Sequence, residues 1–454
     1  MKKSKITRRT FIQASGMGLA SASLFTPGMG AKARVPAAQP AVLGGTPIHE
    51  GGWPEWPVWD QQADEKLLLE VMRSGVWSRA DKVKEFEEKY AQLMGSKYCL
   101  ATTHGTTALI TSLRMLGIGA GDEVLTTPYT FIATIASILM NQAMPVFVDV
   151  DRETFQMDPD KIEEKITDRT KAILPVHILG LPTDMDRIMA IAKKHNLIVV
   201  EDACQAWMAE INHKKLGTIG HAGCYSFQNS KHLPIGEGGA IVSDDREFMD
   251  RAYSFHNLGR AYGSMTTAVG GNYVIVGSKC RMTEFQAAIG LAQMKRLEQQ
   301  TERRWENAGY LRSLIQDIPG IMPYRLYDNV TKAVFHLFPF RFDSRQFGGM
   351  SQPQMIKALR AEGISCSAGY EPLNTMPYLQ DALDSRAFRA IYPQDMLDFE
   401  KYKEKNNCPE NDRLCQETVW IPQNVLLSEK SKLDDIAEAI RKVSQHSAEI
   451  AKQV

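Results

Sequence analysis

From residue 98 onward, short apolar runs alternate with stretches whose apolar positions recur every three or four residues. The runs 98–102, 123–126, 145–150, 171–176, 197–201 and 223–227 read as strands. Segments 107–116, 132–141, 159–166 and 185–195 read as helices. Runs without a polar face suit strands covered on both sides, and strands alternating with helices connect in parallel. The expectation is an α/β fold, a large and mostly parallel sheet with helices on both faces. Segments 65–72 and 83–90 are helical before it, and 282–315 forms one long helix after it. Then the pattern changes. A strand-like stretch at 333–342, helices at 352–362 and 433–445, and a loop-rich 368–415 predict a smaller α+β domain. The predicted division is a leader at 1–33, an arm at 34–60, a large domain at 61–315 and a small domain at 316–454.

In such sheets ligands bind beyond the carboxyl ends of the strands, so the residues after each strand are the candidates. After 98–102 come His104, Gly105, Thr106 and Thr107, opening a helix. Free amide donors and hydroxyls at a helix start can seat a phosphate, although the same residues serve as plain caps. After 123–126 comes Phe131, an aromatic that can lie over a planar ring or simply pack in the core. After 197–201 come Asp202 and Gln205. An acid at the end of an all-apolar strand needs a cation or hydrogen bonds, unless it caps a helix. After 223–227 comes Lys231, five residues beyond Ser226 and before a returning strand at 240–243. Burial lowers the pKa of an ammonium and makes the amine a nucleophile; a solvated hairpin lysine is the plainer reading. Gly236, Gly238 and Gly239 permit positive φ and close approach beside it. A phosphate seat, a stacking ring, a buried acid and an imine-forming lysine together match pyridoxal 5′-phosphate.

The totals narrow the partners. The chain has 454 residues, 44% of them hydrophobic, with 53 Lys+Arg against 53 Asp+Glu. Zero net charge gives no support for a nucleic-acid or anionic-membrane partner. Lys2, Lys3, Lys5, Arg8 and Arg9 precede a weakly apolar run, 11–25, followed by small residues near Ala31 and Ala33. The segment 7–12 (Thr-Arg-Arg-Thr-Phe-Ile) resembles a twin-arginine export signal, which implies a periplasmic or exported protein, or a cytoplasmic one if the signal is not used. The run is too short for a membrane anchor. Seven scattered cysteines without a Cys-x-x-Cys pair indicate neither a metal site nor a disulfide framework, and Cys408 and Cys415 are read as free thiols, with pairing after export as the alternative.

Several blocks, 121–133, 145–150, 200–206, 226–239 and 281–288, resemble in order those of the DegT/StrS family of sugar aminotransferases, over about 56–427 of the chain. The resemblance implies the fold-type I architecture of pyridoxal phosphate enzymes. It implies that Lys231 bonds the cofactor and moves the reacting proton, and that Asp202 pairs with the ring nitrogen. Gln205 would approach the ring hydroxyl, Phe131 would stack, and Thr106, Thr107 and Ser226 would hold the phosphate, with Gly105 at the seat. It further implies a homodimer with shared sites, completed by the partner's 277–281 loop with Lys279 and Arg281. Lys279 departs from the asparagine common there. Segments 335–343, 363–374 and 419–423 resemble the inosose and amino-cyclitol branch, implying transfer from L-glutamine or L-glutamate to a keto-cyclitol or keto-sugar. Elimination or dehydration within the family, or a non-catalytic cofactor-binding sensor, are the rival readings. His256, His336 and Tyr370 are candidate wall residues, with packing as their alternative role.

Overall fold

The computed structural model describes residues 39–266 and 272–454, so the twin-arginine segment lies outside the described residues. The large sheet has seven strands: β1 (Tyr98–Thr102), β2 (Glu123–Thr126), β3 (Met144–Phe147), β4 (Thr170–Leu174), β5 (Ile198–Asp202), β6 (Ala222–Ser226) and β7 (Gly239–Ser243). Their order is β1-β7-β6-β5-β4-β2-β3. From β6 to β3 every pairing is parallel. Only β7 runs antiparallel, to both β1 and β6. The carboxyl ends of β1, β5 and β6 and the start of β7 therefore share one sheet edge.

Strand alternation divides the core. Leu100, Val200, Cys224 and Ile241 face one side, where they meet Leu109 and Leu113 of α3 (Gly105–Met115) and Phe248 of Arg246–His256. Their neighbours Ala101, Tyr225 and Val242 face the other side, against Phe86 and Tyr90 of Asp81–Met94 and Leu291 of the long helix Glu284–Ile315. That long helix starts in a capping box between Thr283 and Gln286. Its Glu284 carboxylate accepts the N–H groups of Ala80, Lys82 and Val83, so one side chain joins the starts of two helices.

A second sheet follows: β8 (Ile321–Pro323), β9 (Leu337–Phe342), β10 (Ser367–Ala368) and β11 (Thr418–Pro422), in the antiparallel order β8-β9-β11-β10. Its core is built from Phe338, Phe340, Leu433 and Ile436, and also takes in Tyr129, Phe155 and Ile178 from the larger half. The arm packs on this part. Glu362 accepts the N–H groups of Ala41 and Ile48, and Trp53 donates to the Gly363 carbonyl.

Four expectations change. The strand expected from 333 starts at Leu337, because Phe335 has φ 52°, which ends extended pairing. The strand expected to reach 150 stops at Phe147, and Val150–Asp151 pairs instead with Gln156–Met157. The helix expected at 159–166 is two single turns, Pro159–Lys161 and Glu163–Lys165, because Ile166 already returns to extended backbone. The loop-rich 368–415 contains five short helices between Pro377 and Glu417. Their Leu379, Phe388, Tyr392 and Tyr402 pack on Ile135, Met144 and Phe147. Helices this short show little periodicity and owe their stability to such packing. All seven cysteines are free, Cys408 and Cys415 included. Among the described residues no helix is long and apolar enough to cross a membrane.

Candidate active site

At the shared edge β1 turns through His104 into α3. The N–H groups of Gly105 and Thr106 have no partner among the described residues. Gly105 is there for space: a Cβ on it would stand 2.7 Å from Ser226 Cβ and 2.9 Å from Cys204 Sγ. The start of α3 is thereby wedged against the end of β6. Gly239 meets the same segment from the other side, since its Cβ would fall 2.3 Å from the His104 carbonyl. Thr107 behaves differently. Its hydroxyl accepts from the His104 N–H (3.1 Å) and donates to the His104 carbonyl (2.8 Å). It caps the helix and lies outside the cavity wall.

Asp202 closes β5 and is buried. Thr134, in the first turn of α4 (Ile132–Met140), donates its hydroxyl to Asp202 Oδ2 at 2.8 Å. The Cys204 N–H donates to Oδ1 at 3.1 Å. Gln205 accepts from the Leu179 N–H (2.8 Å) and donates to the Tyr370 hydroxyl (2.8 Å), which fixes the plane of its amide. Phe131, the residue before α4, is 57% exposed, an unusual state for a phenylalanine in the middle of an α/β edge.

Lys231 lies in the hairpin between β6 and β7. The hairpin is closed by the pair Ser226 and Gly239 and by the Lys231 N–H donating to the Gln228 carbonyl (2.8 Å). Burial pushes the ammonium below the usual lysine value, opposed by the nearby Cys204 and Asp202. The Nζ atom stands 6.0 Å from the centre of the Trp207 ring.

These groups enclose one cavity of about 540 Å³. Gly105, Thr106, Phe131, Asp202, Gln205, Ser226 and Lys231 all line it, joined by His104, Thr134, Cys204, His336 and Tyr370. Lys279 and Arg281 do not line it. They form isolated antiparallel bridges, Lys279 with Asn257 and Arg281 with Thr102, Lys279 exposed and Arg281 half-buried. His256 is buried elsewhere, with Nδ1 on the Tyr253 carbonyl. Thr134 escapes a strand-end reading because it sits one helical turn after Phe131, the distance at which i and i+3 side chains share a face.

The residues present fit pyridoxal 5′-phosphate. Unpartnered N–H groups beside Ser226 suit its phosphate, and the Gly105 cradle is open only because it lacks a Cβ. Asp202 would hold the ring nitrogen, the exposed Phe131 would cover the ring, and Lys231 would hold the aldehyde carbon. When bound, the cofactor supplies an electron sink for the bonds broken at the substrate carbon. Thr134 and the Cys204 N–H hold the acid that would sustain that sink. A neutral Lys231 amine can take and return the substrate proton.

Comparisons with known proteins agree. The family model described as the DegT/DnrJ/EryC1/StrS aminotransferase family matches residues 59–390. The chain is 36% identical over 382 residues to the spore coat polysaccharide biosynthesis protein SpsC of Bacillus subtilis (strain 168), covering 83% of this chain and 93% of that protein. It is 32% identical over 426 residues to the L-glutamine:2-deoxy-scyllo-inosose aminotransferase of Streptomyces kanamyceticus, covering 90% and 98%. In structure it resembles 3-amino-5-hydroxybenzoic acid synthase, with a TM-score of 0.75 at 29% identity over 87% of this chain and 99% of that one. It also resembles an aminotransferase from Psychrobacter cryohalolentis, with a TM-score of 0.75 at 30% identity over 86% and 98%. The chain belongs to the DegT/DnrJ/EryC1/StrS aminotransferase family, whose enzymes work with pyridoxal 5′-phosphate.

Proposed function

We propose that this aminotransferase moves an amino group from L-glutamine or L-glutamate to the ketone of a sugar or cyclitol. The observation that carries the reading is Lys231 and Asp202 meeting in one cavity beneath the open start of α3. Relatives named for L-glutamine and inososes support the substrate classes. The test is the visible spectrum of the full-length holoenzyme with and without L-glutamine, beside Lys231→Ala. Bleaching by the donor, with no borohydride-fixable attachment of cofactor in the variant, supports transfer. A bound cofactor that no amino acid alters refutes it. Inososes and keto-sugars are then screened as acceptors.

The working enzyme in this proposal is a homodimer whose 277–281 loops complete the partner's cavity. Lys279 and Arg281 lie outside the cavity of their own protomer, and the nearby Trp77 and Val276 are more than half exposed, as an interface would require. Mixing Lys231→Ala with Arg281→Ala protomers should restore activity only if sites are shared. The basic leader exports the folded protein; fractionation of cells carrying Arg8→Lys, Arg9→Lys would leave it in the cytoplasm.

A further inference from the structure

A second cavity, of about 640 Å³, lies against the second sheet and shares no lining residue with the one around Lys231. Three arginines line it, Arg152, Arg341 and Arg345, against two carboxylates, Asp343 and Glu417. Arg341 sits on β9, which pairs on both edges and sets it opposite Met322 of β8 and Thr418 of β11. Alternation turns Phe340 and Phe342 into the core and Arg341 to the other face. Arg341 is only 7% exposed. Its side chain makes one hydrogen bond among the described residues, from Nη1 to Glu417 Oε2 at a long 3.4 Å. Nε is buried without a partner. Nη2 has no partner either, but it is not enclosed and opens on the cavity.

Glu417 is a shared partner. It also takes Arg152 Nη1 at 3.0 Å, while Glu410, which does not line the cavity, holds Arg152 Nε. Arg345 stands on the exposed turn after β9, with Nε and Nη2 each 3.0 Å from an Asp343 oxygen. Arg152 Nη2 and Arg345 Nη1 have no partner among the described residues. The helix Gln352–Ala361 begins at the same wall, and its first N–H, that of Gln352, is likewise unpartnered. Burial pushes the Arg341 guanidinium below the usual arginine value, with Glu417 opposing and Arg152 adding to the shift. A charge so buried on one long contact is costly, and an oxyanion would meet the open N–H ends and add negative charge where it is short. The four open donors stand on four separate segments. A planar carboxylate accepts a fork in its own plane, whereas phosphate oxygens accept from several directions and suit a helix start.

We infer that this cavity binds a phosphate group, free or carried on a small molecule, with Arg341 as its anchor and Arg152, Arg345 and the Gln352 N–H around it. It is separate from the seat that would hold the cofactor's phosphate. Its volume falls within the roughly 300–1,000 Å³ of small-molecule pockets, so a carrier has room beside the phosphate. The inference does not depend on the transfer reaction proposed above, because the two cavities share no residue.

The test is calorimetric titration of the full-length holoenzyme, its cofactor seat filled, in phosphate-free buffer. Inorganic phosphate, glucose 6-phosphate and glucose are the probes. Both phosphates should bind and glucose should not. Tighter binding of glucose 6-phosphate identifies a carried phosphate as the ligand, and equal binding identifies the free ion. Arg341→Gln should weaken phosphate binding at least about tenfold, the worth of a charge-assisted hydrogen bond, and leave the visible spectrum of the bound cofactor unchanged. Arg341→Lys should recover part of the loss. Failure of both phosphates to bind wild type, glucose binding as tightly as glucose 6-phosphate, or binding unchanged in Arg341→Gln overturns the site. If Arg341→Gln does not fold, Arg345→Gln, on the exposed turn, must weaken phosphate binding about two- to fivefold, and unchanged binding there overturns the site equally.

Discussion

Gly105→Ala places one methyl group at the start of α3, the floor of the proposed phosphate seat. Its carbon would stand 2.7 Å from Ser226 Cβ, 2.9 Å from Cys204 Sγ and 3.2 Å from Ser226 Cα. Nonbonded carbons rest at about 3.5 Å or more, so α3 and the end of β6 must part by roughly 0.8 Å. Neither side yields easily: β6 is paired on both edges, and the residues behind it are buried. Overpacking of this kind costs about 1–3 kcal/mol, which a domain of ordinary stability survives. The fold should persist with a lower melting temperature. The displaced N–H groups of Gly105 and Thr106 should then hold phosphate less well, and loss of one charge-assisted hydrogen bond weakens cofactor binding about tenfold or more. The assay is a titration of cofactor-stripped protein with pyridoxal 5′-phosphate beside thermal melts. Gly309→Ala is the control. It lies in the long helix with nothing within 4 Å of its Cβ, and should gain about 0.5–1 kcal/mol without altering the cofactor affinity. If Gly105→Ala melts and binds like wild type, the wedge between α3 and β6 does not shape the seat.

Glu201→Gln should lower stability by about 2–4 kcal/mol, read as a smaller urea midpoint at unchanged slope, because the carboxylate accepts N–H groups from Gly217 (2.7 Å), Ile219 (2.7 Å) and Gly220 (2.6 Å). An unchanged midpoint would mean that this loop is held by something else. Burial lowers the Lys231 ammonium, so the rate of cofactor attachment should level off below pH 10.5; a rate still climbing past that pH contradicts the burial argument. His232, His256 and His336 are held neutral by burial, His256 pushed down to about 3. Below about pH 6.5 the unfolded chain binds protons that the folded chain refuses, so stability falls as pH drops, by up to about 1.4 kcal/mol per histidine per pH unit. Urea midpoints at pH 7 and pH 5 check this, and His256→Gln should flatten the slope.

What could be read from the sequence was what repeats locally. The runs at 98–102 and 123–126 and the helix 185–195 coincide with the observed elements, because alternation or a three-to-four period fixes them without help from elsewhere. Residues just past strand ends are the candidates for a topological reason, and the structure brings Gly105, Asp202, Ser226 and Lys231 to one cavity by that route. What stayed hidden depends on distant partners. The left-handed turn at Phe335 leaves no mark in a run of apolar residues. The helices between 377 and 417 form because Met144 and Phe147 offer a surface 230 or more residues away in sequence, and Thr134 matters only once β5 carries Asp202 to it. The family resemblance sets Thr107 at the phosphate, yet a threonine three residues after the N-cap can instead close on its own backbone, as it does here.

Glu201 and Asp202 show how much one residue of strand register decides. They are adjacent acids at the end of a buried strand, and the sequence singles out Asp202 only by its place just past the apolar run and by the family resemblance. Side chains alternate across a sheet, so the two must face opposite sides. Glu201 is spent on the 217–220 loop and on His177 Nε2 at 3.0 Å. That loop in turn fixes Tyr225, whose hydroxyl donates to the Leu216 carbonyl at 2.6 Å and which Gly217 can approach only for want of a Cβ. Asp202 keeps one side-chain donor, Thr134, and one backbone donor, and faces open space. The first acid is saturated by protein and the second is not. Loss of the first should therefore register as stability, and loss of the second as cofactor chemistry. Asp202→Asn that unfolds like Glu201→Gln would reverse that assignment.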